Sequence, residues 1–338
     1  MSSDQFDRAG SRLSWLGPAA AVLLAALLGT EGMAQAQTAQ SAAETARSEC
    51  LYPQNEDQRL REAICEKAGA ALKQAGSNDK MLRLQVEGLI GDLKIAREDY
   101  AGAKAAFERA KILAVNNHPI YGDILMRIAD ACLGLKQPDC GLIAFEEAGK
   151  AGFTPRADDA HMLANLLMIK FSKSQAFQIL SRLAESDESD PVKSLHNHAA
   201  AEVLVSSGRF TEATNHYIRA ASKTERASVW NAVCWHHLVN ISAPYSIDYY
   251  CDGALARDDK NAGIWDSSGL RYLLRDAAWQ AWKAYDQAVK LDANHAHALY
   301  GRGLANAKMG KDTEAQADKR RALAMDPDLE KKYASYFD

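Results

Sequence analysis

Proline is scarce in this chain, at eight residues in 338. Proline breaks helix interiors, so its scarcity leaves room for long uninterrupted helices. An excess of positive charge is missing as well: 40 Lys and Arg stand against 44 Asp and Glu, a net charge of −4. Nothing in that balance suits a phosphate backbone, which argues against nucleic acid as a partner. No C-x-x-C occurs, which removes support for a redox or zinc site. H-E-x-x-H, G-x-S-x-G, a phosphate-cradling glycine loop and a paired-carboxylate motif are also absent. An enzyme needs convergent polar groups, and none is legible. The expectation is therefore no catalytic residue, no cofactor and no metal, with an enzyme lacking a recognisable motif as the last alternative.

What is present begins with a processing segment. Arg8 and Arg12 precede an apolar run from Leu16 to Leu28, followed by Ala34-Gln35-Ala36. This order reads as a secretory signal peptide over residues 1–36, cleaved before Gln37. The run is short for a membrane span, so no stable membrane insertion is expected after cleavage; an uncleaved inner-membrane anchor is the rival reading. Residues 37–49 are small and polar and read as a flexible leader. All six cysteines, Cys50, Cys65, Cys132, Cys140, Cys234 and Cys251, lie behind the cleavage point. An even count in an exported chain suggests disulfides, and proximity in sequence offers three local pairs. Free buried thiols are the alternative.

A 34-residue period runs through the C-terminal part. Ala220, Ala254, Ala288 and Ala322 form one column; Ala213, Ile247, Ala281 and Ala315 form a second; Ala201, Trp235, Gly269 and Gly303 form a third. A period of this length means stacked repeats. Four units tile from Ser194, Ser228, Ala262 and Ala296, each holding two amphipathic helices. Small residues mark where two helices cross closely. Gly208 and Gly310 sit between first and second helices, where a positive φ is useful. Trp235 and Ile247 break the columns, so in that unit the helices splay or the register slips. Arg302, Asn306 and Lys319 are polar where apolar residues are preferred, which suits a last repeat. Upstream, Gly91, Tyr100, Ala103, Phe107 and Ala110 fit a unit starting near Leu84. Two degenerate pairs follow, Tyr121–Gly134 with Pro138–Gly149 and Asp158–Phe171 with Ser174–Leu183. Asn55–Gln74 reads as a leading helix and Asp328–Tyr336 as a closing one, with Tyr333 and Phe337 turned inward.

These columns resemble the tetratricopeptide repeat (TPR), through Gly269, Tyr272, Ala281, Tyr285 and Ala288 in one unit. The next unit matches at Leu299, Gly303, Gly310, Ala315, Ala322 and Asp326-Pro327, and the unit from Ser194 matches at Ala201, Gly208, Phe210, Ala213, Tyr217 and Ala220. The chain further resembles secreted alphaproteobacterial TPR proteins with N-x-x-C-W (Asn231, Cys234-Trp235) and Y-G-R-G (Tyr300 to Gly303). Cys50 and Cys65 resemble that family's N-terminal cysteine pair. The resemblance implies an all-α, right-handed α-solenoid of about seven TPR-like helix pairs plus a leading and a closing helix. Degenerate repeats would fill 50–190, four contiguous units 194–327, and the closing helix 328–338. It also implies that Cys234 and Cys251 face each other across one helix pair.

The resemblance implies a concave groove lined by first helices, containing His198, Glu202, Ala232, His236, Asp266, Leu270, Leu273, Tyr300 and Leu304. Apolar positions with a few polar anchors suit an extended peptide or an amphipathic helix. The rival reading of Leu270 and Leu273 is that they cover neighbouring helices. Trp282 reads as packed between repeats and Trp279 as an exposed anchor. The close histidine pairs (His196/His198, His236/His237, His295/His297) point side chains apart on a helix and favour structural or surface roles over a metal. The functional expectation is a non-catalytic scaffold, periplasmic or secreted, binding a peptide or protein subunit. An accessory subunit or assembly chaperone of a cell-envelope complex is the alternative. Mass spectrometry of exported protein should show a mature N-terminus near Gln37 and oxidised cysteines; an intact leader or six free thiols would refute this reading.

Overall fold

The computed structural model describes residues 41, 44, 46–51, 58–74, 79–114, 118–153, 157–186, 189–241 and 245–337. The cleavage point, residues 37–40, 42, 43 and 45 of the expected leader and the first residues of the expected leading helix lie outside the described residues, whereas residues 46–49, expected to be flexible, are helical. Among the described residues every regular element is helical. A π-helical turn, Ala46–Leu51, precedes α1 (Gln58–Gln74). Then come α2 (Lys80–Ile95), α3 (Tyr100–Ala114), α4 (His118–Gly134), α5 (Pro138–Lys150), α6 (Ala157–Lys170) and α7 (Lys173–Ala184). The regular repeats are α8 (Asp190–Ser206) with α9 (Phe210–Ala221), α10 (Ala227–His236) with α11 (Asp248–Arg257), α12 (Ala262–Leu274) with α13 (Ala278–Leu291), and α14 (Ala296–Lys308) with α15 (Asp312–Met325). The closing helix α16 is Leu329–Phe337. In chain order the described helices make seven successive pairs between a leading and a closing helix, an α-solenoid order.

The chain divides into two compact units. The first holds α1 to α4 and the end of α5 from Glu146. Its N-terminal edge is pinned by a Cys50–Cys65 disulfide with Cα atoms 5.0 Å apart. Arg61 adds a hydrogen bond from Nε to the Cys50 carbonyl at 3.0 Å. Leu72, Val86 and Ile90 pack against the bridge. Asp79 starts α2 by accepting from the Leu82 amide at 2.9 Å, which satisfies one of the open donors of the first turn. The buried carboxylate of Glu62 takes Lys94 at 2.8 Å and Arg97 at 2.5 Å, tying α1 to the end of α2. Ala103, Phe107 and Ala110 are fully buried, as their place in the upstream unit requires.

The second unit holds the start of α5 and α6 to α16. The alanine columns are its helix crossings: Ala201, Ala213, Ala220, Ala254, Ala281, Ala288 and Ala322 are all fully buried. Gly208 and Gly310 adopt φ of 71° and 74° between paired helices, and Asp276 takes φ of 57° at the same phase of the period. Aspartate enters this region more readily than most non-glycine residues, because its short polar side chain can bond locally. One aromatic residue sets the spacing of two repeats. Tyr285 is fully buried, and its ring lies between α12 and α14. A Cβ at Gly269 would come within 2.6 Å of that ring, and one at Gly301 within 2.2 Å. Both glycines are therefore required by close approach.

The irregular repeat resolves as a register change. After His236 the helix continues as a π-helical turn, His237–Ile241. The Trp235 ring meets His297 at 5.8 Å and Tyr336 at 6.0 Å. In the same repeat Cys234 and Cys251 form a disulfide, with Cα atoms 5.0 Å apart. Cys132 and Cys140 are disulfide-bonded as well. Buried Arg271 joins this repeat to the next through Asp248 at 2.9 Å and Asp252 at 2.8 Å. Arg302, one of the polar departures of the last repeat, is also paired. Arg302 makes a two-pronged bond to Asp318, both at 2.8 Å, and a third to Asp286 at 2.9 Å.

The closing helix corrects one expectation. Leu329, Tyr333 and Tyr336 form its inner stripe at i, i+4 and i+7, with Leu329 and Tyr333 buried. Phe337 lies at the edge of that stripe and is 49% exposed. Gly301→Ala should lower the unfolding free energy by about 1–3 kcal/mol, because displacing the Tyr285 ring outweighs alanine's helix preference of about 1 kcal/mol. Urea denaturation checks this; an unchanged or raised stability would mean the ring can move aside.

Candidate functional site

The first helices α8, α10, α12 and α14 place the anticipated groove residues in three distinct settings. The first is a polar cluster around Glu202 on α8. Tyr217 on α9 donates its hydroxyl to Glu202 Oε1 at 2.6 Å. His161 on α6 places Nδ1 3.2 Å from Oε2, and His198, one turn before Glu202, places Nε2 3.6 Å from Oε1. Burial alone would raise the Glu202 carboxyl. The bonds from His161, His198 and Tyr217 outweigh it and hold the group well below the usual carboxylate range. Burial, together with Glu202, pushes the Tyr217 phenol up.

His236 on α10 packs its ring 4.8 Å from Tyr217. Its Nε2 lies 3.1 Å from the Phe210 carbonyl, and its Nδ1 lies 3.1 Å from the Asn240 amide nitrogen. A carbonyl only accepts and the amide nitrogen only donates, so the ring carries its proton on Nε2. Burial lowers its basicity and keeps it neutral. His198, Glu202 and His236 are thus brought together in one buried network, in which His198 Nδ1 alone of their ring nitrogens and carboxylate oxygens lacks a partner among the described residues.

The second setting lies beneath the closing helix. Asp266 on α12 is 4% exposed, and its Oδ1 has no hydrogen-bond partner among the described residues. Burial raises its carboxyl to about 8. Over it, Tyr333 of α16 packs 5.0 Å from Tyr300 and 5.9 Å from His297, both on α14. The Tyr333 hydroxyl donates to the His297 carbonyl at 2.9 Å and lies 3.4 Å from the Tyr285 hydroxyl. Burial opposes ionisation of Tyr285, Tyr333 and Tyr336, and Asp266 adds to it electrostatically in all three. Tyr300 is consequently buried at 4% exposure.

The third setting is the core itself. Leu270 and Leu273 are fully buried in the cluster that also holds Tyr285 and Ala281. The expectation that they stand exposed on a groove is corrected: both belong to the packing between helices. Leu304 and Ala232 are half-buried against the same cluster. Trp282 packs on the core, while Trp279 is 53% exposed and stacked on it at 5.2 Å. Sequence reasoning missed Trp235, His297 and Tyr336 as site residues. The spacing of Leu329, Tyr333 and Tyr336 was the available signal for the last. Among the described residues no group of His, Cys, Asp and Glu is placed to hold a metal ion, and no helix is long and apolar enough to cross a membrane.

No protein-family model matches the chain, and no curated protein matches it. Among solved structures it is similar to one described as the APC/C hetero-tetramer Cut9-Hcn1, at 14% identity with a TM-score of 0.50, over 85% of this chain and 57% of that one. The chain thus spans little more than half the length of that relative. It is also similar to YrrB, described as a TPR protein with an unusual peptide-binding site, at 15% identity and a TM-score of 0.36, over 68% of this chain and 97% of that one. A third is MamA, at 16% identity and a TM-score of 0.34, over 62% of this chain and 94% of that one. At such identities the likeness concerns the fold: this chain is an α-solenoid of TPR-like helix pairs.

The Asp266 carboxyl gives the second setting a pH signature. The folded chain holds its proton more tightly than the unfolded chain does, so stability falls as pH rises from the ordinary value of 3.8 to about 8 and is level beyond. The limiting slope is about 1.4 kcal/mol per pH unit. Asp266→Asn should flatten that interval and raise the melting temperature at pH 8. Urea denaturation at pH 5 and pH 8 checks it; an unchanged pH dependence would show that the carboxyl reaches solvent.

Proposed function

We propose that this chain is a non-catalytic protein-interaction scaffold, exported to the periplasm, whose first-helix face receives a peptide or protein subunit. The observation that carries the reading is the stacking of TPR-like pairs, which aligns successive first helices into one face of mixed polarity. His198, Glu202 and His236 sit toward one end of it, and Asp266, Tyr300 and Leu304 toward the other. The Tyr217–Glu202 hydrogen bond fixes one polar anchor within that face, which suits recognition of a fixed partner. The disulfides Cys50–Cys65 and Cys234–Cys251 support an oxidising compartment, as export to the periplasm would provide. The similar solenoid in the Cut9-Hcn1 structure was solved as a hetero-tetramer, an assembly role of the same general kind.

A second reading, an accessory subunit docking through its outer surface, is favoured by one observation. Tyr245, Tyr249 and Trp279 are 73%, 70% and 53% exposed, at or just before the starts of second helices. Exposed aromatics of this size are common anchors in interfaces. A photo-reactive residue placed at Leu304, and separately at Tyr249, separates the two in cells. Cross-linking to one defined protein from Leu304 is expected; cross-linking from Tyr249 alone would transfer the function to the outer surface, and none from either position would overturn the scaffold reading.

A further inference from the structure

The closing helix does not simply extend the stack. Tyr336 meets Trp235 of α10 at 6.0 Å, and Tyr333 meets His297 and Tyr300 of α14. The helix also touches the π-helical turn that follows α10. It therefore lies back from the last repeat across α10 and α14, first helices two repeats apart. At nine residues it is too short to be stable by itself, so its order depends on docking there.

The fit of that helix is incomplete in a specific way. It seals Asp266 from water yet brings no cation to it. The Asp266 Oδ1 and His297 Nδ1 lack partners among the described residues. The Tyr333 hydroxyl is already committed to the His297 carbonyl. Lys332 of the same helix turns outward, to Asp326 at 2.7 Å. A buried acid without a partner is unfavourable, and an incoming basic group would relieve it. The face is filled by aromatic rings but not complemented in charge.

We propose that Leu329–Phe337 is a displaceable intramolecular occupant of the first-helix face, and that the external ligand is an amphipathic helical peptide carrying aromatic residues and a basic side chain that reaches Asp266. This rests on the reading of that face as the binding surface. The ligand reproduces the Leu329, Tyr333 and Tyr336 stripe and adds the cation that the resident helix lacks. Charge complementarity supplies the differential affinity that displacement requires. The docked helix in turn lowers apparent affinity by the fraction of time it stays closed.

The test uses the full chain and two synthetic probes: a peptide of residues 326–338, and the same peptide with Tyr336→Arg. The arginine peptide should bind the full chain and raise hydrogen exchange of the 329–337 amides by about tenfold at saturation, since those amides become undocked. In a chain carrying Tyr333→Ala and Tyr336→Ala, its affinity should rise about tenfold, with a folded circular-dichroism spectrum as control. Asp266→Asn should erase the preference for the arginine peptide over the unmodified one. Binding without faster exchange in 329–337 would overturn displacement, making the helix a fixed cap. An unaltered preference in Asp266→Asn would overturn the assignment of the cation. Failure of both peptides to bind, with cross-linking from Leu304 intact, would end this proposal while leaving the scaffold reading standing.

Discussion

The wedge of Tyr285 between Gly269 and Gly301 governs the C-terminal half of the molecule. With no side chain on either facing helix, the ring passes from the second-helix layer through the first-helix layer. Its hydroxyl comes within 3.4 Å of that of Tyr333. The ring therefore holds α12 and α14 at one spacing and also forms part of the floor on which the closing helix rests. Side-chain packing at this density behaves as a fixed geometry, because moving one ring requires moving its neighbours. The contact between Trp235 and His297, on first helices two repeats apart, depends on that spacing.

Two buried acids show how differently the same residue class is treated in this fold. Burial opposes ionisation of Glu202, but hydrogen bonds from His161, His198 and Tyr217 outweigh it, so the ionised form is favoured. Asp266 has burial and no compensating donor, so its neutral form is favoured. The distinction follows from their surroundings. Glu202 lies where α6, α8 and α9 converge, each contributing a polar side chain. Asp266 lies beneath aromatic side chains of α16, where the Tyr333 hydroxyl is already committed to the His297 carbonyl. Burying an unpaired acid is among the few single-residue features worth several kcal/mol, so its position under the shortest of the C-terminal helices is energetically conspicuous.

The period made the solenoid legible because small residues at fixed spacing report helix crossings directly. Gly208 and Gly310 marked interhelical turns for the same reason, while Asp276 took the equivalent turn without the glycine that would have announced it. The candidate face was harder to read. A repeat template states which column faces inward, but not what returns to cover it. Leu270 and Leu273 occupy columns that are exposed in an idealised repeat, yet here they are core. Trp235 looked like a packing fault because the π-helical turn after it is invisible to a strict period. The choice of Phe337 over Tyr336 as an inward residue failed through a small angular difference at the end of a short helix. Of the candidate face, the Glu202 cluster draws His161 from a preceding repeat, and that pairing has no signature at all in the local sequence.

The Cys234–Cys251 bridge gains meaning from this arrangement. In the repeat that carries it Trp230 packs on Gly253 of the second helix, where a Cβ would come within 2.6 Å of the ring, while Trp235 is turned toward the closing helix. The disulfide adds a constraint of about 3 kcal/mol to the packing within that pair. Arg271 adds a second tie from the following repeat through Asp248 and Asp252. The bridge thus stiffens α10 next to the residue that seats Tyr336. A covalently fixed platform meeting a marginally stable helix makes the helix, not the platform, the element that yields first. Local opening free energies follow local contact density, and on that measure the nine residues of α16 are the weakest structure resting on the first-helix face.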